Sequence, residues 1–256
     1  MGGMPFAVAK VALLLALLRP GATRASGVEL LVSAAISLKA PLEELCALHK
    51  ARGGVAIALN LAGSGELLRQ IRAGAPVDVF IGASAREMDL AEAENLLQPG
   101  SRVDVASNRL VLITPADGLP LKGFADLRRA DVTRVAMGNP ATVPAGRYAS
   151  ELFAWHKLSP ALEGKLILAE NVRQVLDWVS RGEVDAGVVY ATEARARSAE
   201  VRVVCQAPPG SHQAVRYPAA CLRGSGKERE ARAFLALLTS KVGREVFARH
   251  GFLPPR

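Results

Sequence analysis

The chain is 256 residues long, with 50% hydrophobic, 5% aromatic and 22% charged residues. That composition admits one large or two modest globular domains and excludes disordered, collagenous and coiled-coil chains. The formal net charge is +8, but the basic residues are dispersed, with Arg128-Arg129 and Arg195/Arg197 the closest groupings and no basic run interleaved with aromatics, so nucleic acid is not an expected partner.

Residues 1–25 contain no acid, a lysine at Lys10, an apolar run over 11–18, a turn at Arg19-Pro20-Gly21 and then Ala22-Thr23-Arg24-Ala25. This is the outline of a secretory signal peptide. No cysteine follows the apolar run to accept a lipid, and no twin arginine precedes it, so general secretion is expected. Cleavage after Ala25 removes three cations and no anions, leaving a formal charge of +5. Beyond this segment no apolar run approaches the roughly 20 residues that cross a bilayer.

From residue 28 onward, short β-branched runs alternate with helical patterns. Strands are expected over 28–35, 55–61 and 78–82, each followed by a helix, over 38–49, 66–73 and 85–96. The alternation resumes with strands over 134–137, 166–169 and 186–190 and helices over 146–156 and 172–181. Strand–helix repetition of this kind builds parallel α/β sheets, and two blocks of it imply two lobes. The strands expected over 108–114 and 217–222 lie between the blocks and read as a two-strand hinge. Two closing helices, near 228–238 and 241–250, return to the first lobe. The expected division is a signal peptide over 1–25, lobe I over 26–107 and 217–256, and lobe II over 108–216, with a ligand cleft between the lobes.

In open parallel sheets, ligands bind at the carboxyl ends of the strands, where helix starts present unpaired backbone N–H groups. The residues at these junctions are Ser37-Leu38-Lys39, Gly63-Ser64-Gly65-Glu66, Val143-Pro144-Ala145-Gly146 and Glu170-Asn171-Val172-Arg173. Ser37, Ser64 and Asn171 are N-cap types and Pro144 suits a first helical turn. A cap alone usually serves its own helix. Four helix starts converging on one point, each carrying about +0.5 of an elementary charge, make an anion site without lysine or arginine. Tyr190, at the end of Gly187-Val188-Val189-Tyr190, adds a hydroxyl donor.

These junctions carry a family resemblance. Val32-Ser33-Ala34-Ala35-Ile36-Ser37-Leu38-Lys39, Gly63-Ser64-Gly65-Glu66-Leu67-Leu68 and Gly74-Ala75-Pro76-Val77-Asp78-Val79 come first. Gly138-Asn139-Pro140-Ala141-Thr142-Val143-Pro144-Ala145-Gly146-Arg147-Tyr148, Glu170-Asn171-Val172-Arg173 and Asp185-Ala186-Gly187-Val188-Val189-Tyr190 follow in the same order. Over nearly all of the chain after residue 25 they resemble the periplasmic molybdate-binding proteins of ABC transporters. The resemblance implies a type II periplasmic binding protein, an α/β fold with a parallel-sheet lobe on each side of a two-strand hinge. It implies capture of molybdate, and tungstate with it, by uncharged donors: hydroxyl and amide of Ser37 and Ser64, backbone amides of Ala145 and Val172, and the hydroxyl of Tyr190. Molybdenum would be held only as its oxyanion, without direct coordination. A monomer, no cofactor, a periplasmic location and an ABC permease as the membrane partner are implied as well. Two positions depart from the family pattern: Asn139 stands where aspartate is usual, and Gly63 where serine is common.

Other chemistries fit less well. Ser64 lacks the Gly-x-Ser-x-Gly elbow of a hydrolase, and His49, His156, His212 and His250 fall outside the junctions, so no enzyme is expected. Gly63-Ser64-Gly65 and Gly224-Ser225-Gly226-Lys227 lack glycines that nucleotide-binding loops require, and no His/Cys cluster has metal-ligand spacing. A regulator's effector domain would share the architecture, but no helix-turn-helix segment is present. The competing reading is a protein of the same fold for sulfate, phosphate or a small carboxylate, the last of which would recruit an arginine for bidentate contact. Arg147 and Arg173 stand beside proposed donors and are read as ion-pairing residues outside the site. Asp78 and Asp185 are read as structural. Cys205 and Cys221 flank one expected turn, and both a disulfide and two free thiols fit the sequence.

Overall fold

The computed structural model describes residues 29–255 together with Met1; the signal peptide expected over 1–25 lies, Met1 apart, outside the described residues. The first sheet contains β1 (Glu29–Ala35), β2 (Ala56–Ala62), β3 (Val79–Ile81), β4 (Val103–Ser107) and, from late in the chain, β10 (Arg216–Cys221), in the order β2-β1-β3-β10-β4. The second contains β5 (Leu110–Pro115), β6 (Val135–Gly138), β7 (Leu166–Ala169), β8 (Ala186–Tyr190) and β9 (Val201–Gln206), in the order β7-β6-β8-β5-β9. The fold is thus a two-lobed α/β architecture with one mixed sheet in each lobe. The chain passes between sheets at residues 108–109 and again over 207–215.

Each sheet is mixed where the alternating pattern predicts a parallel one. β1 runs parallel to β2 and β3, and β6 parallel to β7 and β8, whereas β10 is antiparallel to β3 and β4, and β5 to β8 and β9. The antiparallel strands β5 and β10 are those the chain enters on crossing from the other sheet. They were expected as hinge strands, but each is fully integrated in one sheet. Strands β4 and β9 were not expected at all.

The helices are α1 (Lys39–Ala51), α2 (Ser64–Arg72), α3 (Ala85–Ala93), α4 (Pro144–Trp155), α5 (Ser159–Leu162), α6 (Val172–Ser180), α7 (Ala191–Ala196), α8 (Glu228–Thr239) and α9 (Lys241–Arg249). Helix α6 shows how the sequence sets them. Val172, Val175, Leu176 and Val179 fall on one face and are all buried, the spacing of an amphipathic helix. Asn171 Oδ1 accepts from Gln174 N at 3.0 Å to cap its start, and Gly182, at φ +68°, follows its end in the left-handed conformation that glycine adopts without strain. α2 and α3 cover one face of the first sheet through Leu67, Leu68, Ile71, Phe80 and Met88. α1, α8 and α9 cover the other through Leu42, Leu45, Phe234 and Phe247. Each fully buried aliphatic or aromatic side chain contributes about 1.5–3 kcal/mol.

The aspartates of the strand motifs fasten elements together. Asp78 accepts from Leu31 N at 2.8 Å and from Lys227 Nζ at 3.0 Å. Asp185 accepts from Thr133 N, Thr133 Oγ1 and Arg134 N within 2.7–2.9 Å. Cys46, Cys205 and Cys221 are free thiols. A Cys205–Cys221 disulfide is not formed, because the two residues lie on β9 and β10, in different sheets.

One buried acid lies beneath the second sheet. Glu193, in the first turn of α7, has a side chain 1% exposed, and Arg173 Nε stands 3.0 Å from its Oε2. That is close enough for ion pairing but off the line of a hydrogen bond, and Oε2 has no hydrogen-bond partner among the described residues. Burial raises its pKa to about 7, against the opposing attraction of Arg173. A raised carboxyl pKa means that the folded state binds the proton more tightly than the unfolded chain does. This group's contribution is therefore present at low pH and lost as pH rises from the ordinary carboxylate range to about 7. Glu193→Gln removes that loss: unfolding free energies of variant and parent, measured by denaturant titration from pH 4.5 to 8, are expected to diverge in the variant's favour by up to about 3 kcal/mol. A constant difference across that range would show that Glu193 titrates normally.

Candidate functional site

The carboxyl ends of the parallel strands of both sheets meet at one cavity. From the first sheet it is lined by Ala35, Ile36 and Ser37 at and after the end of β1, Ala62, Gly63 and Ser64 at and after the end of β2, and Ala83 after β3. From the second it is lined by Val143, Pro144 and Ala145 after β6, Asn171 and Val172 after β7, and Tyr190 at the end of β8. Ser37, Ser64, Ala145, Val172 and Tyr190, singled out from the sequence, all line it. The cavity is small, with about 10 Å³ open to the centre of a water-sized sphere. No charged side chain lines it. Helices α2, α4 and α6 begin in its wall, so three helix N-termini face it. The fourth expected start is a 3-10 turn, Ile36–Leu38, leading into α1.

The two serines do not cap their helices, contrary to their residue types. Helix α2 already starts at Ser64 behind Gly63, and Ser64 Oγ accepts instead from Ala83 N at 2.9 Å. That bond uses the oxygen and not its hydrogen, so the Ser64 hydroxyl hydrogen is free to point into the cavity. Ser37 Oγ lies 3.3 Å from the Tyr217 hydroxyl. Either hydroxyl can donate in that contact, and its neighbours bear on which one does. Asn108 Oδ1 accepts from Arg109 N at 2.8 Å, which orients the amide, and Asn108 Nδ2 then donates to the Tyr217 oxygen at 3.2 Å and to Thr192 Oγ1 at 2.9 Å. Tyr217 keeps its own hydrogen, and in the arrangement where it donates to Ser37 the Ser37 hydrogen is left for the cavity.

Tyr190 is 1% exposed, and its buried hydroxyl oxygen has no hydrogen-bond partner among the described residues. Leaving such a group unmatched is costly, and native proteins do so rarely. Burial pushes the phenols of both Tyr190 and Tyr217 above their ordinary range, so both remain protonated donors at neutral pH. The cavity therefore offers hydroxyl and amide hydrogens with no opposing carboxylate in its lining, a chemistry suited to a fully deprotonated anion. Among the described residues no cluster of His, Cys, Asp or Glu is placed to hold a metal ion.

Three features were not legible in the residue types. Tyr217 and Asn108 stand behind Ser37, though both lie in segments the sequence marks as crossings. Arg147 reaches across the cleft to Glu87 on α3, while Arg173 pairs with Glu193 within the second lobe. The lobes also touch through backbone: Gly65 N donates to Thr142 O at 3.0 Å. A Cβ at Gly65 would lie 2.5 Å from Thr142 O, and one at Gly63 would lie 3.1 Å from Glu170 O. Glycine at 63, where serine is common in the resembling family, accommodates this approach. At the other departure, Asn139 Oδ1 accepts from Ala141 N at 3.0 Å, an acceptor role that an aspartate would fill equally. A groove of about 430 Å³, whose lining includes Glu66, Arg69, Asn139, Thr142 and Glu170, adjoins the cavity at Ala62, Gly63 and Asn171.

Comparison with known proteins agrees with this architecture. The family of bacterial extracellular solute-binding proteins matches residues 30–253. The molybdate-binding protein ModA of Escherichia coli (strain K12) is 37% identical over 231 residues, covering 86% of this chain and 87% of that protein. Among solved structures, the substrate-binding domain of a putative molybdenum ABC transporter from Clostridium difficile is 33% identical with a TM-score of 0.70, covering 89% of this chain and 99% of that one. The periplasmic molybdate-binding protein of Azotobacter vinelandii superposes with a TM-score of 0.79 at 21% identity, covering 89% of this chain and all of that one. With the match spanning both lobes and every junction of the cavity, the chain belongs to the bacterial extracellular solute-binding proteins and, within them, to the family of the molybdate-binding proteins.

Proposed function

We propose that this protein captures molybdate, and tungstate with it, in the periplasm and delivers the ion to an ABC permease. The observation that carries the reading is the convergence of Ser37, Ser64, Ala145, Val172 and Tyr190 on one uncharged cavity, with the buried Tyr190 hydroxyl left unmatched. Both serine hydroxyls and the phenol donate to the oxyanion, as do backbone amides at Ser37, Ser64, Ala145 and Val172. The helix N-termini add partial positive charge where the ion sits. No group in this set is a nucleophile paired with a base, and the protein acts by binding, not by catalysis. The signal peptide over 1–25 takes the chain to its compartment, and closure of the lobes presents the loaded form to the permease.

Donor-only recognition also sets the specificity. A ligand that retains a proton brings a hydrogen for which this lining has no carboxylate acceptor, so hydrogen phosphate is rejected. A carboxylate would want the planar fork of an arginine, and the nearby Arg147 is already engaged by Glu87.

The decisive experiment is the melting temperature with molybdate, tungstate, sulfate, phosphate and citrate in turn. At about 100 times the dissociation constant, a specific ligand stabilises by about 2.7 kcal/mol, or about 5–10 °C for a chain of this size. Shifts with molybdate and tungstate alone, abolished in Ser37→Ala and Ser64→Ala, are expected. A shift with sulfate or citrate and none with molybdate would keep the fold and overturn the ligand. Tyr217→Phe removes the hydrogen that sets Ser37's polarity while keeping the ring in place. It is expected to weaken molybdate binding about tenfold, the value of one hydrogen bond to a charged group, measured by titration calorimetry. Unchanged affinity would mean that Ser37 donates without help.

A further inference from the structure

The pairing of Arg147 with Glu87 joins the two lobes beside the cavity. Arg147 Nη2 donates to both carboxylate oxygens of Glu87, at 2.6 and 2.7 Å, and to Ser84 Oγ at 3.0 Å. Ser84 Oγ in turn hydrogen-bonds Glu87. The side chains are 15% and 4% exposed. Glu87 sits in the first turn of α3, four residues after Ala83, whose amide holds Ser64. Arg147 sits in the first turn of α4, two residues after Ala145.

The placement of each charge bears on its role. A carboxylate in a first helical turn complements the helix dipole, whereas a guanidinium there opposes it. Arg147 stands at an unfavourable position for its own helix, and its compensating partner belongs to the opposite lobe. The lobes are linked covalently through residues 108–109 and 207–215, so any rotation that opens the cleft pulls α3 from α4. The pair must then separate and each charge must be rehydrated.

We infer that Glu87 and Arg147 form an interlobe latch, made on closure and broken on opening, that sets how long the captured anion is held. This rests on the reading of the cavity as an oxyanion site closed by lobe motion. The latch acts through the position of the lobes and touches no ligand. Because its two charges cancel, it holds the lobes together without placing a free cation at the cavity. Removing one partner of a buried hydrogen-bonded charge pair acts mainly on dissociation.

The test is stopped-flow release of molybdate from the purified protein, with small-angle X-ray scattering of the loaded and ligand-free forms. The set is the parent, Glu87→Gln, Arg147→Gln, the double Gln variant and the charge-exchanged Glu87→Arg/Arg147→Glu. Each single variant is expected to speed release about tenfold or more, with the association rate changed less. The double Gln variant is expected to be no worse than either single one, and the exchanged pair to recover part of the loss. Release rates unchanged in the single variants, or single losses that simply add in the double, would overturn the latch. If the parent binds sulfate in place of molybdate, the ligand reading fails and the same release series with sulfate still decides the latch. If no oxyanion binds, the latch fails together with that reading; molybdate bound with unaltered release in both single variants sinks the latch alone.

Discussion

Everything in this molecule depends on where parallel strands end. A strand followed by a helix in a parallel sheet delivers the helix start, with its unpaired N–H groups, to the carboxyl edge. Two such sheets placed edge to edge bring β1, β2 and β3 against β6, β7 and β8. The antiparallel strands β5 and β10 make this possible, because each carries the chain into a sheet from the other side and fastens both crossings within the sheet cores. Buried residues of both lobes, from Leu42 in α1 to Val175 in α6, then join one apolar cluster. The cavity is the polar exception in that contact.

A polar cavity walled by neutral donors must control which way its hydroxyls point. A serine hydroxyl donates and accepts with equal ease, so a partner that donates to its oxygen from behind favours turning its hydrogen toward the cavity. Ala83 N does this for Ser64, and the chain from Asn108 through Tyr217 does it for Ser37. Tyr190 needs no such arrangement, since burial keeps its phenol protonated and its hydrogen has nowhere else to go. The groups behind the site therefore determine its sign as much as those that line it.

This division explains what could be read in the sequence. Alternation of β-branched runs with amphipathic helices is a local property, and it placed β7 and β8 at their observed ends and most helices within two residues. The five cavity positions were legible because strand–helix junctions are local too, and because the motifs around them resemble a known family. Interactions between distant segments were not legible. Ser37 and Ser64 were read as caps because a serine before a helix usually is one; partners 180 and 19 residues away claimed them instead. β9 was missed because it is an edge strand with Val203 exposed and a register shift between Leu112 and Ile113 of its partner β5, so its burial does not alternate cleanly. Arg147 is read from the sequence as an ion-pairing residue, and it pairs with Glu87. Its partner was beyond reach, since nothing in the sequence brings α3 to α4 except the closure of the whole fold.

The same closure limits what the site can hold. Gly63 and Gly65 let the loop after β2 approach Thr142 and Glu170 so closely that Gly65 donates directly to a backbone carbonyl of the other lobe. Backbone does not yield as a flexible side chain does, so this contact sets how near the lobes come when the cleft is closed. A ligand much larger than a small ion holds Gly65 away from Thr142 and leaves the donors on opposite walls unable to reach it together. A smaller ion lets the lobes meet but stretches its own hydrogen bonds, which weaken steeply with distance and angle. On the proposed reading, size selection in a cavity of soft hydroxyls would come from the rigid glycine contact beside it.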